Sequence, residues 1–389
     1  MNRNYYEFFA GGGMARAGLG ADWTCIFAND FSAMKARTYR QNWGGEHLIQ
    51  GDVAAVKADQ LPGQAGMVWA SFPCQDLSLA GKYRGFEDEQ SGALTRSGTF
   101  WPFWSLMLQL KDLGRAPRLI VLENVPGAIT SRNGRDFAML CSALAEAGYR
   151  YGAVTIDARH FVPQSRPRLF FVAVRADMAV PIDLAAPAPQ QHWHSDALQS
   201  AQRNLAGNAK AQWAWWKLPA PPLRNIGLDD IIEDHPTGCR WHSENETQRL
   251  LAMMAPIHRS KLEMAQKTGH RLVGCVYKRT RTNEFGQKEQ RAEIRFDGLA
   301  GCLRTPGGGS SRQLIVVVDG PSTKSRLLSP REAARLMGLG DDYKLPDRYN
   351  EAYQVAGDGV CVPVVRFLAA HLLEPLLVQA ATPDRSLAA

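Results

Sequence analysis

The chain has 389 residues, 45% of them hydrophobic and 21% charged, with a formal net charge of +7. That composition excludes a disordered or collagen-like polymer, and the length predicts two domains, one α/β and one smaller. The positive balance favours a polyanionic partner without requiring one.

In chain order, YYEFFA (5–10) reads as a buried strand that ends in glycines and leads into a helix. CIFAND (25–30) is a second strand, and SAMKARTYRQNW (32–43) has helical spacing. QGDV closes a third strand, and MVWASF (67–72), LIVLENV (119–125) and RLFFVAV (168–174) are further buried-strand runs. Strands separated by helices predict a mostly parallel sheet covered on both faces, with ligands at the carboxyl ends of its strands. PIDLAAPAPQQHWH (181–194) reads as a linker, and the stretch from 190 to about 318 has weak periodicity and a basic segment at 275–295. In it the tryptophans at 213, 215 and 216 read as packing residues. LSPREAARLMGLG (328–340) signals a helix capped by Ser329, with Pro330 first and a glycine stop.

The candidate chemistry falls at the predicted strand ends. FFAGGGMARAGLG (8–20) is a glycine-rich strand-to-helix turn, where backbone N–H groups can approach a nucleotide-like ligand. Asp30 is placed to bond a ribose hydroxyl, and Asp52 to bond an amine or adenine group. Cys74 follows Pro73 at the next strand end, Glu123 and Asn124 close another, and Gln164, Arg166 and Arg168 enter the last. Each has an ordinary alternative: buried thiol, capping carboxylate, surface arginine. The signal is their joint arrangement, a nucleophile, a carboxyl and two guanidiniums on one sheet edge beside an adenosine-type pocket.

The seven cysteines are scattered without a C-x-x-C pair. This argues against a zinc ribbon or disulfide framework and fits reduced thiols in a cytoplasmic protein without a metal. No signal peptide is indicated, and no run approaches 18 apolar residues, so no membrane span is expected.

The motifs resemble, over nearly the whole chain, those of the DNA cytosine-5 methyltransferases that use S-adenosylmethionine. FAGGG (9–13) is similar to the family's cofactor loop, FPCQDLS (72–78) to its Pro-Cys-Gln motif and ENV (123–125) to its Glu-Asn-Val motif. QSRPR (164–168), RTPGGGSSRQ (304–313) and AYQVAGDGVCVPVV (352–365) look like its later motifs. The amino-methyltransferases share the fold but use an Asp/Asn/Ser-Pro-Pro-aromatic motif, which is not found. The related tRNA cytosine-5 enzymes share the cysteine and glutamate, and a binding-only relative is a further alternative.

The resemblance implies a Rossmann-like catalytic domain at 1–178, a target-recognition domain at 190–318, a hinge and returning helix at 319–352, and a segment at 353–389 completing the catalytic domain. It implies that Cys74 adds to cytosine C6, with Arg166 as its neighbour, Glu123 at N3 and Arg168 at O2, while Asn124, Gln75 and Ser78 orient the surroundings. The cofactor, released as S-adenosylhomocysteine, would be held by Phe9, Ala10, Gly11, Gly12, Gly13, Met14, Asp30, Phe31, Asp52, Val53, Pro73, Phe100, Asp358 and Val360. A loop at 76–97 would close over a flipped-out base and meet phosphates through Lys82, Arg84 and Arg96. Lys278, Arg279, Arg281 and Arg312 would contact DNA. The implied partners are double-stranded DNA and a cognate restriction endonuclease, with no membrane, for a monomeric prokaryotic or phage enzyme. Two departures stand out. Asp358 replaces the family's usual asparagine, and Gly12-Gly13-Met14 stands where a bulky residue between two glycines is usual.

Overall fold

A computed structural model describes residues 2–73, 86, 95, 97–304 and 312–379. The chain forms two compact units. The first comprises the chain to Asp157, Pro167–Pro221 and the chain from Val364; the second comprises Ala158–Arg166 and Pro222–Pro363.

The first unit is built on a seven-stranded sheet in the order β3-β2-β1-β4-β5-β7-β6. Its strands are β1 (Asn4–Phe8), β2 (Thr24–Asp30), β3 (Leu48–Gln50), β4 (Met67–Ala70), β5 (Leu119–Asn124), β6 (Tyr149–Asp157) and β7 (Pro167–Arg175). Between them run α1 (Met14–Leu19), α2 (Ala33–Trp43), α3 (Phe100–Asp112) and α4 (Arg135–Glu146). The first five strands pair in parallel, whereas β7 inserts antiparallel between β5 and β6. Every residue of β5 is buried, as expected for a strand covered on both faces. Chain order reverses between β1 and β4. The crevice at the carboxyl ends of these two strands is therefore the switch point at which such sheets bind ligands.

The 181–194 segment is not a free linker. Trp193 is buried, its backbone carbonyl accepts from Thr155 N on β6 at 2.8 Å, and its Nε1 donates to Pro219 O at 3.0 Å. Ala214 N bonds Tyr151 O at 2.7 Å, so the chain that follows the segment also covers the outer edge of β6. Gly152 permits that approach, because a Cβ there would lie 2.0 Å from Ala214 O. β8 (Ala185–Ala186), α5 (Asp196–Arg203), α6 (Gly207–Ala211) and β9 (Trp215–Trp216) complete the covering. The tryptophans pack as the sequence suggests: Trp216 is fully buried with Nε1 on Val172 O at 2.9 Å, and Trp213 meets Tyr151 and Phe137. The proline- and alanine-rich composition concealed the packing by large aromatics. The first compact unit runs to Pro221, apart from Ala158–Arg166, and resumes at Val364.

The second unit holds α7 (Glu244–Ala252), α8 (Pro256–Lys267) and an antiparallel sheet of β10 (Leu272–Thr282), β11 (Lys288–Arg295), β12 (Leu314–Asp319) and β13 (Ser322–Leu327), ordered β11-β10-β12-β13. Its core includes Leu250, Leu262, Val276, Ile294 and Val316. α9 (Pro330–Arg335) begins as the sequence predicts, with Ser329 Oγ accepting from Glu332 N at 3.1 Å. Glu332 also takes two bonds from Arg326, both side chains being wholly buried.

α10 (Tyr349–Asp358), α11 (Val362–Leu368) and α12 (Glu374–Gln379) close the described chain. Residues 349–378 form a helical run long and apolar enough to cross a membrane by length and composition alone. Its apolar residues from Val364 onward serve the core: Val364, Val365, Leu368, Leu372, Leu373, Leu376 and Leu377 are at most 2% exposed.

Candidate active site

Strand ends of the first unit build the site, β1 and β2 for one part and β4, β5 and β7 for the other. The chain leaves β1 through Phe9 at φ 57°, Gly11 at 58° and Gly13 at 77°, a left-handed course that turns the backbone sharply into α1. Asp30, at the end of β2, fixes this turn. Its Oδ2 accepts from Gly11 N and its Oδ1 from Ser32 N, each at 2.8 Å. Ala10 N bonds Asn29 O at 3.0 Å. Ala10, Gly12, Gly13 and Met14 are buried, while Phe9 and Gly11 are half-buried. Phe31, the residue after Asp30, is 77% exposed, an unusual state for an aromatic ring and one suited to stacking on a flat ligand. Asp52 is exposed and caps the turn at Val53–Ala55 through Ala54 N at 2.9 Å, while Val53 is buried beneath it.

Beneath the loop lies Glu7, in the middle of β1 and 1% exposed. Burial pushes its carboxyl up to about 8, against the opposing pull of the Arg16 side chain and backbone. An acid raised in this way holds its proton in the folded state at pH values where the unfolded chain has released it. Its stabilising contribution is complete below the unfolded value and is lost as pH rises through about 8. Glu7→Gln should therefore gain on the native protein progressively between about pH 5 and 8. Paired thermal melts at stepped pH check this, and a difference curve that stays flat over the window would refute it.

The second part of the site is at β4, β5 and β7. Asn124, at the end of β5, donates Nδ2 to Phe72 O at 3.2 Å and accepts from Val125 N at 2.9 Å. It thereby fixes the end of the neighbouring β4 extension, at Phe72 and Pro73, from which the chain enters Cys74. Cys74, Gln75, Ser78, Lys82, Arg84 and Arg96 lie outside the described residues. Glu123 sits opposite Phe170 on β7, and Arg168 two positions earlier shares its sheet face. Arg168 Nε is 3.1 Å from Glu123 Oε1, with about a tenth of each side chain exposed (14% and 11%). A carboxylate on β5 and a guanidinium on β7, both nearly dry, thus stand side by side, and β5 is the strand next to the one leading to Cys74.

Other expected residues are placed differently. Arg166 is 1% exposed within the second unit and donates to Gly357 O at 2.8 Å, Gly359 O at 2.7 Å and Leu303 O at 3.4 Å. Its guanidinium therefore braces the turn that carries Asp358. Gln164, fully buried, ties the same segment down through Leu336 O at 2.8 Å and Leu303 N at 3.2 Å. Asp358 is exposed and accepts from Gln354 Nε2 at 3.4 Å, while Val360 is buried. Phe100, expected on a cofactor wall, has no exposed surface and packs among Phe72, Phe86, Trp101, Phe103 and Trp104.

In the second unit the β10–β11 hairpin carries the basic segment, but acids alternate with the bases. Arg279 and Arg281 both pair with Glu293, and Arg291 pairs with Glu289. Lys278 is half-buried on the opposite face. Arg312 lies over the Tyr349 ring at 5.4 Å and bonds Asn350, so its charge is held within the unit.

A doubly wound sheet with a glycine loop and a strand-end acid by its switch point, and a carboxylate–guanidinium pair on the strands beyond, is the arrangement of an α/β enzyme of the nucleotide-cofactor class. The family model for C-5 cytosine-specific DNA methylases matches residues 4–374, and the chain belongs to that family. Its relatives include the type II methyltransferase M.HhaI of Haemophilus parahaemolyticus, 25% identical over 95% of this chain and 93% of that protein. M.NlaX of Neisseria lactamica is 26% identical over 94% of this chain and 95% of its own length. Among solved structures, the S. pombe Dnmt2 methyltransferase superposes with a TM-score of 0.56 at 16% identity, covering 97% of this chain and 99% of that one. That similarity establishes the shared fold.

Proposed function

We propose that this chain methylates C5 of a flipped-out cytosine in duplex DNA, using S-adenosylmethionine, through a covalent bond from Cys74 to C6. The observation that carries the reading is the Glu123–Arg168 pair at 3.1 Å, beside the β4 end that Asn124 anchors just before Cys74.

Cytosine C5 is a poor nucleophile until a thiolate adds across C6. Glu123, hydrogen-bonded at N3, draws electron density out of the ring as the sulfur adds, which leaves C5 enamine-like. Arg168 orients the Glu123 carboxylate and would hold the base's O2. Bound S-adenosylmethionine supplies the electrophilic methyl group. The residues present fit it: a backbone-lined glycine loop, Asp30 for the ribose hydroxyls and the exposed Phe31 ring for the adenine. Loss of the C5 proton then releases Cys74 and restores the ring. A target base cannot react while stacked, so it must leave the duplex. Recognition of the surrounding sequence is assigned to the second unit, where the hairpin's exposed Arg279 and Arg281 can exchange Glu293 for phosphate.

Duplex DNA carrying 5-fluorocytosine tests this. With the C5 proton replaced by fluorine, the cycle stops after methyl transfer and the protein stays bonded to DNA. A denaturation-resistant complex that requires S-adenosylmethionine is expected. Trapping on tRNA but not on DNA would reassign the substrate, and no adduct on either would overturn the covalent route.

A further inference from the structure

The glycine loop of this chain runs Gly11-Gly12-Gly13 into Met14, and an indole from α2 packs against it. Trp43, the last residue of α2, donates Nε1 to Gly12 O at 3.0 Å. A Cβ built on Gly13 would lie 2.3 Å from that same nitrogen and 2.6 Å from the adjacent ring carbon. The indole thus occupies the volume that a side chain at position 13 would need. It is itself held in place: the Arg16 guanidinium lies over the Trp43 ring at 5.2 Å. Arg16 is fixed in turn by Tyr39 Oη at 3.2 Å and His47 Nε2 at 2.6 Å, and Tyr39 is fully buried. Asp30 grips the loop at Gly11 N and Trp43 grips it at Gly12 O, so both grips come from the β2–α2 unit.

We infer that Trp43, stacked under Arg16, is a positioning residue for the cofactor: it sets the shape of the Gly11–Gly13 backbone that receives S-adenosylmethionine. The inference rests on the cofactor reading above. It accounts for the glycine at position 13, since φ 77° and the indole each disfavour a side chain there. An amide-type bond to a constrained backbone carbonyl is worth about tenfold in a binding constant when the binding geometry depends on it.

The test is equilibrium binding of S-adenosylmethionine and S-adenosylhomocysteine to the full chain, alongside steady-state kinetics. Trp43→Phe keeps the ring and removes the N–H donor, and should raise the dissociation constant and KM for the cofactor by about tenfold. At saturating cofactor its kcat, and its affinity for DNA without cofactor, should remain within about threefold of native, a split that general loss of structure does not produce. Gly13→Ala should weaken binding strongly in the native background and by at least about fivefold less in a Trp43→Ala background, because the two positions compete for one volume. Native-like cofactor affinity in Trp43→Phe, together with equal effects of Gly13→Ala in both backgrounds, would overturn the inference. If Trp43→Ala does not fold, Arg16→Lys, which keeps the charge and loses the planar stack, should show the same KM-selective loss, and a native KM there would count against it. Failure of the native chain to bind either compound would overturn the cofactor reading itself, a distinct outcome.

Discussion

Replacing Cys74 with alanine is expected to lower methyl transfer by roughly ten-thousandfold or more, because the reaction loses the step that makes C5 nucleophilic. The substitution removes one sulfur and no charge that the fold needs. The Asn124 bond to Phe72 O at 3.2 Å still fixes the strand end on which the residue follows, so binding of DNA and cofactor should persist. Single-turnover methylation with matched binding isotherms measures both. A Cys74→Ala protein that methylates at a near-native rate would show that the thiolate is not the nucleophile.

The next largest effect is expected at Glu123. Glutamine has the same shape and still accepts a bond from Arg168, yet it carries no negative charge and cannot protonate N3. The turnover of Glu123→Gln should fall by about a hundredfold to ten-thousandfold, the range for loss of general acid–base assistance. The decisive feature is the step affected. Assistance at N3 acts during thiolate addition, so trapping on 5-fluorocytosine DNA should slow in parallel with turnover. Slow turnover with native trapping would place Glu123 after addition. Arg168→Ala should share part of this defect, since it leaves a nearly dry carboxylate without its partner at 3.1 Å.

Much of this architecture was readable in the sequence, and the exceptions have physical causes. Apolar runs such as LIVLENV mark buried strands, yet an apolar run carries no direction. The antiparallel insertion of β7 between β5 and β6 was therefore invisible, and β6 itself was not singled out. Proline and alanine at 181–189 suggested a linker because composition does not reveal where Trp193 will dock. The order of the catalytic motifs gave Glu123 and Arg168 their places, since both follow from strand ends. The spacing of Arg166 shows that a guanidinium is present but not which carbonyls it reaches, here those of Gly357 and Gly359. In the basic hairpin, strand register rather than composition decides the outcome, because pairing Arg281 with Glu289 brings acids and bases onto one face. Trp43 went unnoticed although two signals were available, the doubled glycine at 12–13 and an aromatic ending the following helix.

The most direct test of the central claim is mass spectrometry of nucleosides from the DNA of cells expressing this chain, with Cys74→Ala as the control. The account predicts 5-methylcytosine in the first sample and none above background in the second. Unmodified cytosine in both, with soluble protein present at equal levels, would contradict it.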